Sequence, residues 1–264
     1  TCRACVSACP MMIEHVDFII DLRRHEALEK GALPGKSATV LTHLKETANQ
    51  GGRPAAARFL WAADLDLRVL APGESAELLW IVGEAGFNER NRRTLRAFAR
   101  LLALAGVDVA LLGDAEGDCG DLARRLGEEA LFMSLAEQLA ARLARHSVRR
   151  IVTTDPHVMN ALRNEYPALG GGADVLHHTE LLADLVAAGR LQAANPVQGS
   201  VTYHDPCYLA RVNNTSDAPR ALVGEETDYD RTGPALLDQA ARPDQAAFIP
   251  GDGRGFFVGV NAKF

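Results

Sequence analysis

The chain has 264 residues, a formal net charge of −6 and 47% hydrophobic residues, the balance of a globular protein long enough for one large or two smaller cores. An acidic chain with no basic stripe argues against nucleic-acid binding. Its longest apolar runs, such as 101–112, are too short and interrupted to cross a bilayer, and its cysteine-rich polar start is unlike a secretory signal.

The first predicted element is a metal-binding loop. Cys2, Cys5 and Cys9 with Pro10 read C-x2-C-x3-C-P, three of the five cysteines in the chain. Soft thiolates at this tight spacing suit iron, and the bacterial ferredoxin run ends in the same C-x3-C-P. Aligned on that ending, Cys2 and Cys5 are ligands of one cluster and Cys9 of another. The first Cys of the run falls one position before Thr1, so the chain is expected to be a piece of something longer. A zinc knuckle would want a second cysteine pair. Clustered thiols also point to a reducing, cytoplasmic compartment rather than a disulfide scaffold.

Residues 11–31 follow with Ile13, Val16, Ile19 and Ile20 at helical spacing and Gly31 as a stop, predicting one amphipathic helix. A helix after a cluster loop is a helical-ferredoxin arrangement, here residues 1–31. Residues 32–76 hold Gly51-Gly52, scattered Pro and no sustained period, and read as a linker with short helices.

From residue 77 the texture is α/β. ELLWIV (77–82) and VDVALLG (107–113) are strands around an amphipathic helix at 89–106 with arginines on its outer face. One or two helices at 118–147 lead to a third strand and exit loop, RRIVTTDPH (149–157). This order predicts an open parallel sheet with helices on its faces. A strand and polar loop at 200–207, APRALVG at 218–224 and a strand-like piece at 245–255 suggest a weak repeat. The predicted division is one α/β unit at 77–197 and a second, degenerate at its end, at 198–264. In such sheets ligands gather at loops beyond the strand C-termini: GEAG, GDCG, TTDPH, YHDPC and IPGDGRG. The last lacks the Lys-Ser/Thr ending of a phosphate-binding P-loop.

These loops and the opening motif resemble the cysteine-rich (CCG-domain) iron–sulfur proteins related to heterodisulfide reductase, including electron-transfer proteins like its D-type component. The resemblance runs over nearly the whole chain, through TCRACVSACP, DCGDLARRLG, NEYP (164–167), VLHHTELLADLVAAGRL (175–191), VTYHDPCYL (201–209) and APR (218–220). It is strongest to large membrane-linked members that accept electrons from electron-transfer flavoprotein-type partners.

The resemblance implies two cubane 4Fe-4S clusters at the N-terminal motif, completed by upstream ligands, and a non-cubane cluster in the α/β body. It also implies a cysteine at Glu84, a cysteine pair at Asp118-Cys119, and Cys-Pro-His-Cys where this chain has Asp155-Pro156-His157-Val158. In the second unit Cys207 is kept, and the last cysteine pair aligns with Ile249-Pro250. Only Cys119 and Cys207 survive in the body, so its non-cubane cluster is expected not to assemble.

Three further readings attach to these loops. Glu84, Asp118, Asp155, His157 and His204 are a candidate hard-metal set. Cys207 beside His204 and Asp205 is a nucleophile-and-base arrangement, set against a surviving family ligand. His177-His178 are candidate ligands or loop scaffold before a helix capped by Thr179. The expected function is a one-electron relay in an oxidoreductase subunit, between cubane clusters and a flavoprotein, quinone or thiol/disulfide partner, at the inner face of the membrane. The alternative is a docking or assembly module without a cluster in its body.

Overall fold

In the computed structural model, residues 1–170, 173–192 and 203–223 are described. Five parallel strands form one sheet: β1 (Arg68–Val69), β2 (Ser75–Ile81), β3 (Val109–Leu111), β4 (Ser147–Thr153) and β5 (Asp174–His177), in the order β1-β3-β2-β4-β5. The register pairs Leu79 with Ala110 on one side and with Ile151 on the other. The α/β expectation holds. The chain leaves β2 for one neighbour and returns past it to β4, so the connection reverses direction between β2 and β4.

Both faces of β2 are buried from Leu78 onward because helices cover the sheet on both sides, which is why LLWIV (78–82) is continuously apolar. Leu79 and Ile81 face a core built with Leu44 of α3 (Ser37–Thr47), Phe132 and Leu139 of α6 (Glu129–Leu143) and Met159. Leu78 and Trp80 face the opposite core, where α4 (Arg92–Leu104) contributes Leu95, Phe98, Ala99 and Leu102 at helical spacing. Trp80 is fully buried, 4.8 Å edge-on from Phe98 and 5.2 Å from Trp61. Truncating such a ring costs about 3–5 kcal/mol.

The opening segment folds onto this body. α1 (Ala4–Ala8) is one short helical turn, and α2 (Val16–Arg24) runs on through a wider turn at His25–Glu29. The predicted 11–31 helix is present but starts at Val16, leaving Met11, Met12 and Ile13 exposed. α2 lies against α5 (Asp121–Leu126), where Gly127 terminates α5 at φ +93°. A Cβ on Gly127 would collide with the backbone of Arg23, so the close approach requires glycine.

Two strands went unpredicted. β1 lies in the 32–76 stretch, which also supplies Leu41, Leu44 and Trp61 to the two cores. β5 hides inside VLHHTE and leads straight into α8 (His178–Ala187). Of the second predicted unit, residues 203–223 are described. The strand expected at 200–207 is absent from 203–206, which have no regular structure; a helical turn at Tyr208–Val212 and α9 (Asp217–Val223) follow. Leu209 is fully buried in the first unit's core, and α9 packs on α8. The predicted piece at 245–255, with Ile249 and Pro250, lies outside the described residues.

Candidate functional site

The sheet reverses direction between β2 and β4, and at such a point the loops leaving the two strands part to form a crevice. A small cleft occupies this position, lined by Gly83 and Glu84 after β2, Asp118 and Cys119 after β3, and Asp155 and His157 after β4. Its void is about 20 Å³, room for one water-sized atom.

The floor of the cleft is fixed by a buried ion pair that the sequence did not advertise. Glu116 is fully buried; its two oxygens accept hydrogen bonds from the N–H of Val82 (3.0 Å) and of Gly83 (2.7 Å), with Arg58 Nε at 3.7 Å. Burial pushes the Glu116 carboxyl up, opposed by Arg58 and the two amides. Gly83 needs its glycine: φ is +66°, and a Cβ would meet Val158 at 3.1 Å.

The rim residues are held by short local bonds. Glu84 accepts from the Gln50 N–H (2.9 Å) and Asp118 from the Gly120 N–H (2.7 Å). Asp155 caps α7 (Pro156–Asn160) by accepting from the His157 N–H at 2.8 Å. Cys119 is buried, and burial, then Asp118 and Asp121, push its thiol well above the ordinary value, so it stays protonated.

Asp121, at the start of α5, is the electrostatic centre of the site and was not singled out from sequence. Burial pulls its pKa upward, but His157 and Arg125 outweigh it and hold the carboxyl at about 2. Arg125 Nε donates to Oδ2 at 2.7 Å; His157 Nδ1 lies 3.1 Å from the same oxygen, near enough for attraction but without hydrogen-bond alignment. The other face of His157 meets the Tyr208 ring, with centroids 3.9 Å apart. An (i, i+4) Asp-Arg pair in DLARR was the available signal.

Cys207 stands one residue before Tyr208, half-buried and outside the cleft lining. His204 is exposed and also outside it, while Asp205 pairs with Arg220. The structure therefore gathers Cys119, Glu84, Asp118, Asp155 and His157 round one cleft and leaves His204 and Cys207 beside it. Among the described residues no group of three or more His, Cys, Asp or Glu side chains is placed to hold a metal ion.

His177 and His178 are buried structural residues. The His177 N–H donates to Glu180 at 2.8 Å and its ring accepts from the Thr179 N–H, making His177, not Thr179, the cap of α8. Burial pushes both imidazoles down, His178 to about 3, so they stay neutral.

The opening cysteines sit against the same flank. Cys2 and Cys5 are exposed and Cys9 half-buried. The Ala4 N–H, then Arg211, lower the Cys2 thiol; the Ile13 N–H, then His15, lower that of Cys9. Arg211 Nε donates to the Cys2 carbonyl at 2.9 Å, one turn beyond Tyr208. These thiols fit part of a cubane ligand set. Among the described residues the cleft does not fit an all-sulfur iron cluster, because its one thiol, protonated among carboxylates, is the wrong donor set.

Comparison with known proteins agrees with this architecture. Residues 84–163 match the CCG family, described as a cysteine-rich domain, which places the cleft residues from Glu84 to His157 inside it. The chain is 52% identical over 228 residues to a probable membrane-anchored ferredoxin of Chromohalobacter salexigens, covering 84% of this chain and 34% of that protein. It is 39% identical over 228 residues to the EtfAB:quinone oxidoreductase of Syntrophomonas wolfei, covering 84% of this chain and 32% of that protein. To a component of the dihydromethanophenazine:CoB–CoM heterodisulfide reductase of Methanosarcina barkeri it is 28% identical over 238 residues, 84% of this chain and 55% of that one. No solved structure matches.

The fold and site define a CCG cysteine-rich-domain protein. More particularly, the chain belongs to the heterodisulfide reductase-related iron–sulfur proteins. It spans about a third of the length of the first two relatives named.

Proposed function

We propose that this chain is the α/β part, with its adjoining cysteine loop, of an iron–sulfur electron-transfer oxidoreductase. The observation that supports this reading best is the seat of the cysteine loop on the body. Arg211 holds the Cys2 carbonyl, and Tyr208, three residues earlier, lies on His157 at the rim of the switch-point cleft. When bound, an iron–sulfur cluster supplies one-electron transfer. The chain's own residues do the rest. Cys2, Cys5 and Cys9 present thiols at the surface, two of them with lowered pKa. Arg211 and Tyr208 fix the loop's distance from the cleft, and Tyr208 shields His157 from water.

The relatives' names suggest the exchange partners: an electron-transfer flavoprotein and a quinone in one, a heterodisulfide in another. A place beside a membrane accords with the first relative's name, and among the described residues no helix is long and apolar enough to cross one. The test is anaerobic expression with the natural upstream sequence, followed by iron and sulfide analysis and EPR. Cubane signals that change in Cys2→Ser, Cys5→Ser and Cys9→Ser are expected; their absence overturns the reading.

A second reading has its own support. The carboxylate-lined cleft around one protonated thiol suits a docking or assembly module that passes electrons no further than the cysteine loop. In that case Arg211→Ala leaves the cubane signal intact and abolishes association with the redox partner. In the relay reading, the same variant slows electron transfer while association persists.

A further inference from the structure

A second cavity meets the switch-point cleft at Gly117 and belongs to none of the chemistry above. Its void is about 440 Å³, within the ~300–1,000 Å³ range of small-molecule sites. The end of α3, the 53–58 stretch and α6 form its walls, with Leu44 and Leu135 as the apolar part.

Four cations line it: Lys45, Arg53, Arg58 and Arg142. Two wall carboxylates, Glu46 and Asp114, are exposed, and neither pairs with any of them among the described residues. Arg58 is 2% exposed; Glu116 beneath it answers part of its charge, yet its Nε has no hydrogen-bond partner. Among the described residues Arg142 bonds only to Gln138, at 3.4 Å, and its guanidinium fills the space above Gly117 where a Cβ would stand. Burial, then repulsion from Arg58 and Arg145, makes Arg142 a weaker base than usual. Arg142, partly buried and repelled by Arg58, shares this open space with the exposed Arg53 and Lys45, and an anion between them relieves the repulsion.

We propose that this cavity binds a small organic anion, its phosphate or carboxylate group held by Arg142, Arg53 and Lys45 and its apolar part lying on Leu44 and Leu135. Arg142 rests on the loop that carries Asp118 and Cys119, so occupancy fixes one side of the switch-point cleft.

The test is isothermal titration calorimetry on the 264-residue protein with phenyl phosphate and with benzoate, at constant ionic strength. One saturable site is expected for at least one probe. The better probe assigns the head group as phosphate or carboxylate. Affinity should fall at least tenfold in Arg142→Gln and in Lys45→Gln, and stay unchanged in Arg100→Gln on the exposed face of α4. Lys45 is exposed, so its variant decides the matter where Arg142→Gln is poorly folded by circular dichroism. Heats no different from added sodium chloride, or unchanged affinity in Lys45→Gln, overturn the proposal.

Discussion

Replacing Asp121 by Asn keeps the side-chain volume and removes the charge on which Arg125 and His157 converge. In the folded chain this carboxyl is 4% exposed and lies 2.7 Å from Arg125 Nε and 3.1 Å from His157 Nδ1. Its pKa is depressed from the ordinary 3.8 to about 2. Each unit of depression is roughly 1.4 kcal/mol, so ionised Asp121 stabilises the fold by about 2–3 kcal/mol. A depressed carboxylate contributes fully above its unfolded pKa and loses that contribution as pH falls through its folded one. The stabilisation is therefore complete above about pH 5, mostly lost by about pH 2 and gone near pH 1. At neutral pH, Asp121→Asn should lower the melting temperature by about 5–10 °C in a domain of this size. Urea unfolding of both proteins between pH 7 and pH 2, followed by the fluorescence of buried Trp80, measures the difference directly. The two stability curves should converge as the solution is acidified. Curves that stay parallel over that range, or coincide at pH 7, would refute the charge argument.

Two further outcomes follow from the thiols and from the α2–α5 contact. At pH 8, iodoacetamide followed by mass spectrometry should modify Cys2 and Cys9 well before Cys119, which is buried and held as a thiol; Cys119 should react at a comparable rate only in denaturant. Gly127→Ala combines a left-handed backbone, about 1–2 kcal/mol, with a clash against Arg23, about 1–3 kcal/mol, so calorimetry should show a loss of about 2–5 kcal/mol. A loss below about 1 kcal/mol would mean that α2 does not sit on α5 as described.

The strands and helices legible from sequence were those with strong local patterns. β2 announces itself by the apolar run from Leu78 to Val82, and α4 by leucines on one face and arginines on the other. Parallel topology then pointed to the loops after β2, β3 and β4, and Glu84, Cys119 and His157 do meet there. β1 escaped because it is two exposed residues paired only with β3. β5 escaped because His177, polar by type, is buried as the cap of the next helix. The Arg58–Glu116 pair and the Tyr208–His157 stack had no local signal at all, since their partners are brought together only by the finished fold. The candidate hard-metal residues also have partners that only the finished fold supplies. Four of them share a cleft, but each is already committed to a backbone amide or, in His157, to a charged neighbour.

The bond from Arg211 to the Cys2 carbonyl joins residues 209 positions apart in the chain. During synthesis the cysteine loop leaves the ribosome well before Arg211 and waits for the intervening body before its seat exists. Contacts of such long range are the last to form and the slowest to find. Iron delivered early meets three loose thiols with no fixed spacing. Iron delivered after residue 211 has emerged and folded meets a loop already held in place. A cluster bound at these cysteines, as proposed, gains a fixed seat only once the body has folded.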